Sequence, residues 1–158
     1  LRAIGIQRLD GMIVSHADSD HSGGALSVMH GVPIEWVAAS LPVEHPIALN
    51  AKRFVPCFAG QNWQWDGVRF DVLHPPAEAY ARSDAKPNTL SCVLAVTDAK
   101  GQRVLLTGDL EAEQEARLVR EQPAALKSDV LLDEVRAEAR DEPAARMVVR
   151  QRLLERGP

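Results

Sequence analysis

The sequence predicts an α/β (α+β) domain built in layers, and three observations carry that expectation. Short apolar runs of strand character recur along the first 132 residues. Two pairs of them flank tight-turn signals and read as hairpins rather than as a regular βαβ repeat. Helical stretches are interspersed between the pairs. The chain has 158 residues, of which 46% are hydrophobic and 25% charged, the size and composition of one globular domain.

Taken in order, residues 1–7 resemble the end of an amphipathic helix, and Leu9–Ser15 (LDGMIVS) is a mostly apolar strand. A polar run, His16–His21, leads into a helix over Ser22–His30 with Ser22 as its expected N-cap. Ile34–Ala39 is a short buried strand. Asn62–His74 (NWQWDGVRFDVLH) is the clearest hairpin, because Asp66-Gly67 between alternating runs suits a type I′ turn. Leu90–Thr97 and Arg103–Thr107 flank a second turn at Asp98–Gly101. Glu111–Glu121 is expected to be helical, and Ser128–Leu132 a last strand. The 26 residues from Asp133 contain six acids, six arginines and no aromatic, so residues 133–158 read as a charged helical tail appended to a domain at 1–132.

Charge and composition exclude several classes. Eighteen Lys and Arg against 22 Asp and Glu give a net charge of -4, which argues against a broad basic face for nucleic acid. No apolar run is long enough to cross a bilayer, and no signal peptide opens the chain. The two cysteines, Cys57 and Cys92, form no CxxC pattern and are expected to be packed free thiols. A first residue that is Leu rather than Met suggests an excerpt of a longer chain.

The strongest chemical signal follows the first strand: Ser15-His16-Ala17-Asp18-Ser19-Asp20-His21-Ser22-Gly23-Gly24. Four residues able to ligate metal, His16, Asp18, Asp20 and His21, fall within six positions. Imidazole suits zinc, manganese or iron, and each carboxylate makes a site harder and more tolerant of manganese or magnesium. The plainer reading is a solvated loop in which Asp20 caps the next helix. A second signal is Thr107-Gly108-Asp109 at the end of an apolar strand, where one carboxylate can bridge two cations or simply cap a helix. Both signals lie at strand ends, where open α/β sheets place their sites.

HxDxDH followed by SGG, with a later LLTGD, resembles the metallo-β-lactamase superfamily, whose loop is HxHxDH; Asp18 stands at the second histidine. That replacement, with NWQWDGVRFDVLHP and Asn88-Thr89-Leu90-Ser91, is similar to the C-terminal hydrolase domain of ComEC-type DNA-internalisation proteins. The resemblance covers about residues 1–132. It implies a layered αββα fold, incomplete here at both ends, and two divalent ions, manganese or zinc. His16 and Asp18 would hold the first ion and Asp20 and His21 the second, with Asp109 shared. It further implies two-metal hydrolysis of DNA, the non-imported strand, with Asp20 orienting the attacking water or taking its proton. The partners so implied are DNA and the membrane-channel part of the parent protein, and the location is the inner membrane.

Other residues carry weaker expectations. His74 is a strand-end histidine whose backbone-bonded reading outweighs a ligand role, and Asn88 is an equal candidate for that region. His30 and His45 have only surface or core readings. Trp63 and Trp65 share a face and read first as packing, second as a stacking platform for bases. Ser22 lacks a GxSxG elbow and is no nucleophile. The family pattern departs after Ser128–Leu132, where an HHGS stretch is expected and Asp133-Glu134-Val135-Arg136 stands. Loss of that histidine suggests a truncated and inactive copy. Two alternatives therefore stand beside the nuclease: another hydrolase of the superfamily acting on a thioester, lactone or lactam, and a non-catalytic remnant.

Overall fold

The computed structural model describes residues 2–82 and 84–132. The expected tail at 133–158 lies outside the described residues. Strands β1 (Leu9–Val14), β2 (Ile34–Ala39) and β3 (Phe54–Pro56) form a three-stranded parallel sheet in that order. Strands β4 (Asn62–Trp65), β5 (Val68–His74), β6 (Val93–Thr97), β7 (Arg103–Leu106) and β8 (Val130–Leu132) form a second sheet. It is antiparallel from β4 to β7, and β8 joins parallel to β7.

Side-chain alternation along these strands builds the layers. Ile13, Val72, Leu94, Val96 and Leu106 meet between the two sheets, around Cys57 and Cys92. The opposite face of the first sheet, with Val14, Val37 and Ala39, is covered by helix α2 (Ala25–Gly31) and by Ile47 of α3 (Pro46–Asn50). Leu73, Val93, Ala95 and Leu105 on the outer face of the second sheet take Leu118 of α4 (Ala112–Glu121). The result is helix, sheet, sheet, helix.

Turn chemistry behaves as the sequence predicts at the first hairpin. Asp66 and Gly67 both have positive φ, 48° and 81°, as a type I′ turn requires. Next to that hairpin, Trp36, Trp63, Trp65 and Phe70 pack on one another, with Trp63 and Phe70 stacked at 4.9 Å. Gly11 on β1 makes room for this cluster: a Cβ there would meet the Trp36 ring at 2.2 Å. The packing reading of the tryptophans describes their contacts.

Several local expectations are corrected. The helix expected over Ser22–His30 is two pieces: α1 (Ser19–Ser22) and α2, broken at Gly23-Gly24. Ser22 is not an N-cap; it ends α1, and its hydroxyl donates to the Ala17 carbonyl at 2.9 Å. The strand expected from Leu90 begins at Val93, because Asn88–Leu90 forms a 3-10 turn. The helix end expected over residues 1–7 is a 3-10 turn at Arg2–Ile4. His45 caps α3, its Nδ1 accepting the Ile47 N–H at 3.2 Å. The cysteines are not free thiols: Cys57 and Cys92 form a disulfide with Cα atoms 6.0 Å apart. Thirty-five positions separate them, but one follows β3 and the other precedes β6, so stacking the sheets brings them together.

Candidate metal centre

The candidate site forms where β1, β2, β6 and β7 end or begin together. Val14 pairs with Ala39 at the close of the first sheet, and Leu94 with Leu106 in the second. The Cys92 N–H donates to the Ser15 carbonyl at 2.8 Å, tying the loop after β1 to the start of β6. The chain then turns through α1, where the His21 and Ser22 N–H groups both donate to the Asp18 carbonyl. That turn brings His21 back beside His16, with ring centroids 4.1 Å apart.

Asp109 arrives from the other sheet. Thr107 is held at the end of β7 by its N–H and hydroxyl, both donating to the Leu132 carbonyl at 3.2 Å. Gly108 follows with φ 59°, and a Cβ on it would lie 3.1 Å from Ser15 Cβ and 3.3 Å from Ser91 Cβ. Only glycine allows so close an approach in that conformation. The helix-cap reading of Asp109 is not met: Glu111 occupies the N-cap position of α4, and Asp109 is buried.

Among the described residues, His16, His21 and Asp109 each offer a ligand atom, and these atoms all lie within 4.8 Å of one another. His21 Nε2 is 3.0 Å from Asp109 Oδ1. Asp18 and Asp20 stand at the margin: Asp18 Oδ2 is 3.6 Å from His16 Nε2, and Asp20 Oδ2 is 3.8 Å from His21 Nε2. The Asp20 side chain is 64% exposed against 2% for Asp109. Three of the five residues singled out in the sequence therefore converge on one point, while Asp18 and Asp20 each stand beside one of its histidines.

Burial, and then the neighbouring His21, push the His16 imidazole below its ordinary pKa, while Asp109, Asp18 and Asp20 pull it back. The net direction keeps a fully buried ring neutral, which is the form that ligates metal. The chemistry of the donors fits a divalent cation: two imidazole nitrogens and a carboxylate oxygen are the mixed set that zinc or manganese accepts.

His74 is not one of the three clustered residues. It is buried, its Nδ1 is 3.0 Å from the Ser91 carbonyl, and burial lowers its pKa. It lines a cavity of about 420 Å³ together with Arg82, Lys86, Glu111, Gln114 and Arg117. That strand-end, backbone-bonded setting is the one the sequence favoured. Asn88 is buried nearby in its 3-10 turn. The sequence did not single out Ser15 or Ser91, although the hydroxyl of each reaches a histidine ring of the cluster. The only available signal was their position beside the motifs.

Comparison with known proteins agrees with this architecture. The model of the metallo-beta-lactamase superfamily matches residues 1–149. The chain is 39% identical over 132 residues to Competence protein ComA of Neisseria gonorrhoeae, covering 84% of this chain and 17% of that protein. It is 39% identical over 108 residues to Recombination protein 2 of Haemophilus influenzae, covering 68% and 12%. The chain thus spans less than a fifth of the length of either relative. Among solved structures, a HARLDQ motif mutant of the metallo-beta-lactamase from Cronobacter sakazakii superposes with a TM-score of 0.52 at 17% identity, covering 84% of this chain and 61% of that one. That likeness shows the fold alone. The family model spans most of the chain, which belongs to the metallo-β-lactamase superfamily.

Proposed function

We propose that this chain is the metal-dependent hydrolase domain of a competence-type protein and that it cleaves phosphodiester bonds of DNA. The observation that carries the reading is the convergence of His16, His21 and Asp109 from two sheets onto one buried point. The similarity to Competence protein ComA and Recombination protein 2 supports DNA as the substrate class and a membrane-associated parent protein. No helix among the described residues is long and apolar enough to cross a membrane.

His16, Asp18, Asp20, His21 and Asp109 are the residues that would hold divalent cations, manganese or zinc. Bound there, such cations supply positive charge for a phosphate and lower the pKa of an attacking water. The chain's own groups do the rest. Asp109, buried after β7, brings a carboxyl group to the centre of the cluster. Asp20, exposed beside His21, is the group that would orient the water and take its proton. The -4 net charge is no objection, since two divalent ions would offset it where the phosphate sits.

Among the described residues, only His16, His21 and Asp109 of the five candidates bring ligand atoms within 4.8 Å of one another. A copy that holds metal without turning over is therefore the second reading. Incubation of labelled DNA with manganese or zinc tests both. Cleavage that is abolished by chelator, and reduced more than about 100-fold in Asp109→Ala and Asp20→Ala, supports the hydrolase. Metal binding lost in Asp109→Ala, without cleavage by the intact chain, would select the inert copy. Failure to bind either metal would overturn both.

A further inference from the structure

A single hydroxyl lies between the two histidines of the cluster. Ser15 Oγ is 3.1 Å from His16 Nδ1 and 3.0 Å from His21 Nδ1. The two rings sit at 39° to each other, both presenting Nδ1 to Ser15 and Nε2 toward the carboxylates. Ser91 Oγ also approaches His16 Nδ1, at the longer distance of 3.4 Å.

A neutral imidazole that ligates through Nε2 must carry its proton on Nδ1, and the partner of that proton sets both tautomer and ring orientation. Two ligand histidines therefore need two acceptors. A serine hydroxyl has two lone pairs, so one oxygen can accept both Nδ1–H groups at once. The backbone of Ser15 is tied to the start of β6. Its carbonyl accepts the Cys92 N–H at 2.8 Å, and its Cβ lies 3.1 Å from where a side chain on Gly108 would begin.

We propose that Ser15 is a positioning residue that holds His16 and His21 together as Nδ1–H tautomers, aiming both Nε2 lone pairs at the point they share with Asp109. The proposal deepens the metal-site reading and rests on it. It assigns to one oxygen a role that metal sites ordinarily divide between separate carboxylates or carbonyls. Ser91 is the lesser partner, at the longer distance from His16.

Calorimetric titration with zinc and with manganese, on the intact chain and three variants, tests this. Ser15→Ala keeps the Cβ and the backbone bond and removes only the oxygen, so its urea midpoint should stay close to that of the unaltered chain. Its metal affinity should fall about 10- to 100-fold, as for other groups that orient ligands. Ser91→Ala should fall less than Ser15→Ala, and Ser15→Thr, which restores an oxygen, should return to within about threefold of the starting affinity. In the zinc-loaded chain, nitrogen-15 NMR should show both rings protonated at Nδ1, and in Ser15→Ala the Nδ1 protons should exchange faster with water. Equal affinity in Ser15→Ala and the intact chain would overturn the proposal while leaving the metal site standing, as would a Ser15→Thr variant as weak as Ser15→Ala. An intact chain that binds neither metal would overturn the site and the proposal together.

Discussion

Replacing Gly108 with alanine tests whether the meeting of β7 with the histidine loop depends on that one missing side chain. Gly108 has φ 59°, and a Cβ there would stand 3.1 Å from Ser15 Cβ and 3.3 Å from both Ser91 Cβ and Ser91 Oγ. The left-handed conformation costs a non-glycine residue about 1–2 kcal/mol. Crowding two side chains already packed in place adds about 1–3 kcal/mol. The sum is a loss of about 2–5 kcal/mol. Gly101 supplies the control: its φ is 83° and nothing lies within 4 Å of the position its Cβ would take. Gly101→Ala should lose only the conformational part, about 1–2 kcal/mol. Urea unfolding followed by the fluorescence of Trp36, Trp63 and Trp65 measures both variants. The same pair separates the site from general stability, because Gly108→Ala displaces Ser15 and should weaken metal binding while Gly101→Ala should not. An excess loss in Gly108→Ala of less than about 0.5 kcal/mol, the usual error of additivity, would refute the close-approach argument.

Three further outcomes are expected. Reducing the Cys57–Cys92 disulfide, or replacing both residues with alanine, opens a 35-residue loop and should lower stability by about 4 kcal/mol; an unchanged urea midpoint under reductant would contradict it. His74 and His16 both have pKa values lowered by burial from an ordinary 6.5, so below that pH the unfolded chain binds more protons than the folded one. Metal-free stability should therefore hold above pH 6.5 and decline as pH falls below it toward the folded pKa values, more gently in His74→Asn; a flat profile between pH 7 and 5 would count against neutral buried rings. Gly11→Ala should lose about 1–3 kcal/mol by driving a methyl into the Trp36 ring, and Trp36→Leu in the same chain should recover part of it; strictly additive losses would show that the contact is not shared.

What could be read from the sequence was whatever depends on neighbours along the chain. Asp66-Gly67 announces its turn because two consecutive positive φ values favour those residue types, and Ile34–Ala39 announces a strand by a short run that is apolar apart from Glu35. The candidate loop was legible for the same reason: His16, Asp18, Asp20 and His21 are dense in one short stretch. Misreadings gathered where local preference competes with a distant contact. Ser22 looks like a cap but bonds back to Ala17 inside α1. Segments of weak periodicity, such as β3 and α3, take shape only against β2 and α2.

The sequence by itself thus indicated the layered class and the hairpin and put forward four candidate ligands in one short stretch, since residue type and short spacing are enough for each; Asp109 it offered equally as a helix cap. Tertiary structure decided the rest. Asp109 meets His16 and His21 only because β1 and β7 end on the same side of two stacked sheets, and Cys57 meets Cys92 between those sheets. Ser15 stands within reach of both rings only because α1 turns His21 back over His16. The physical reason is common to all three: each contact joins elements whose relative placement is set by burying two sheet faces against each other, and no spacing along the chain encodes that distance.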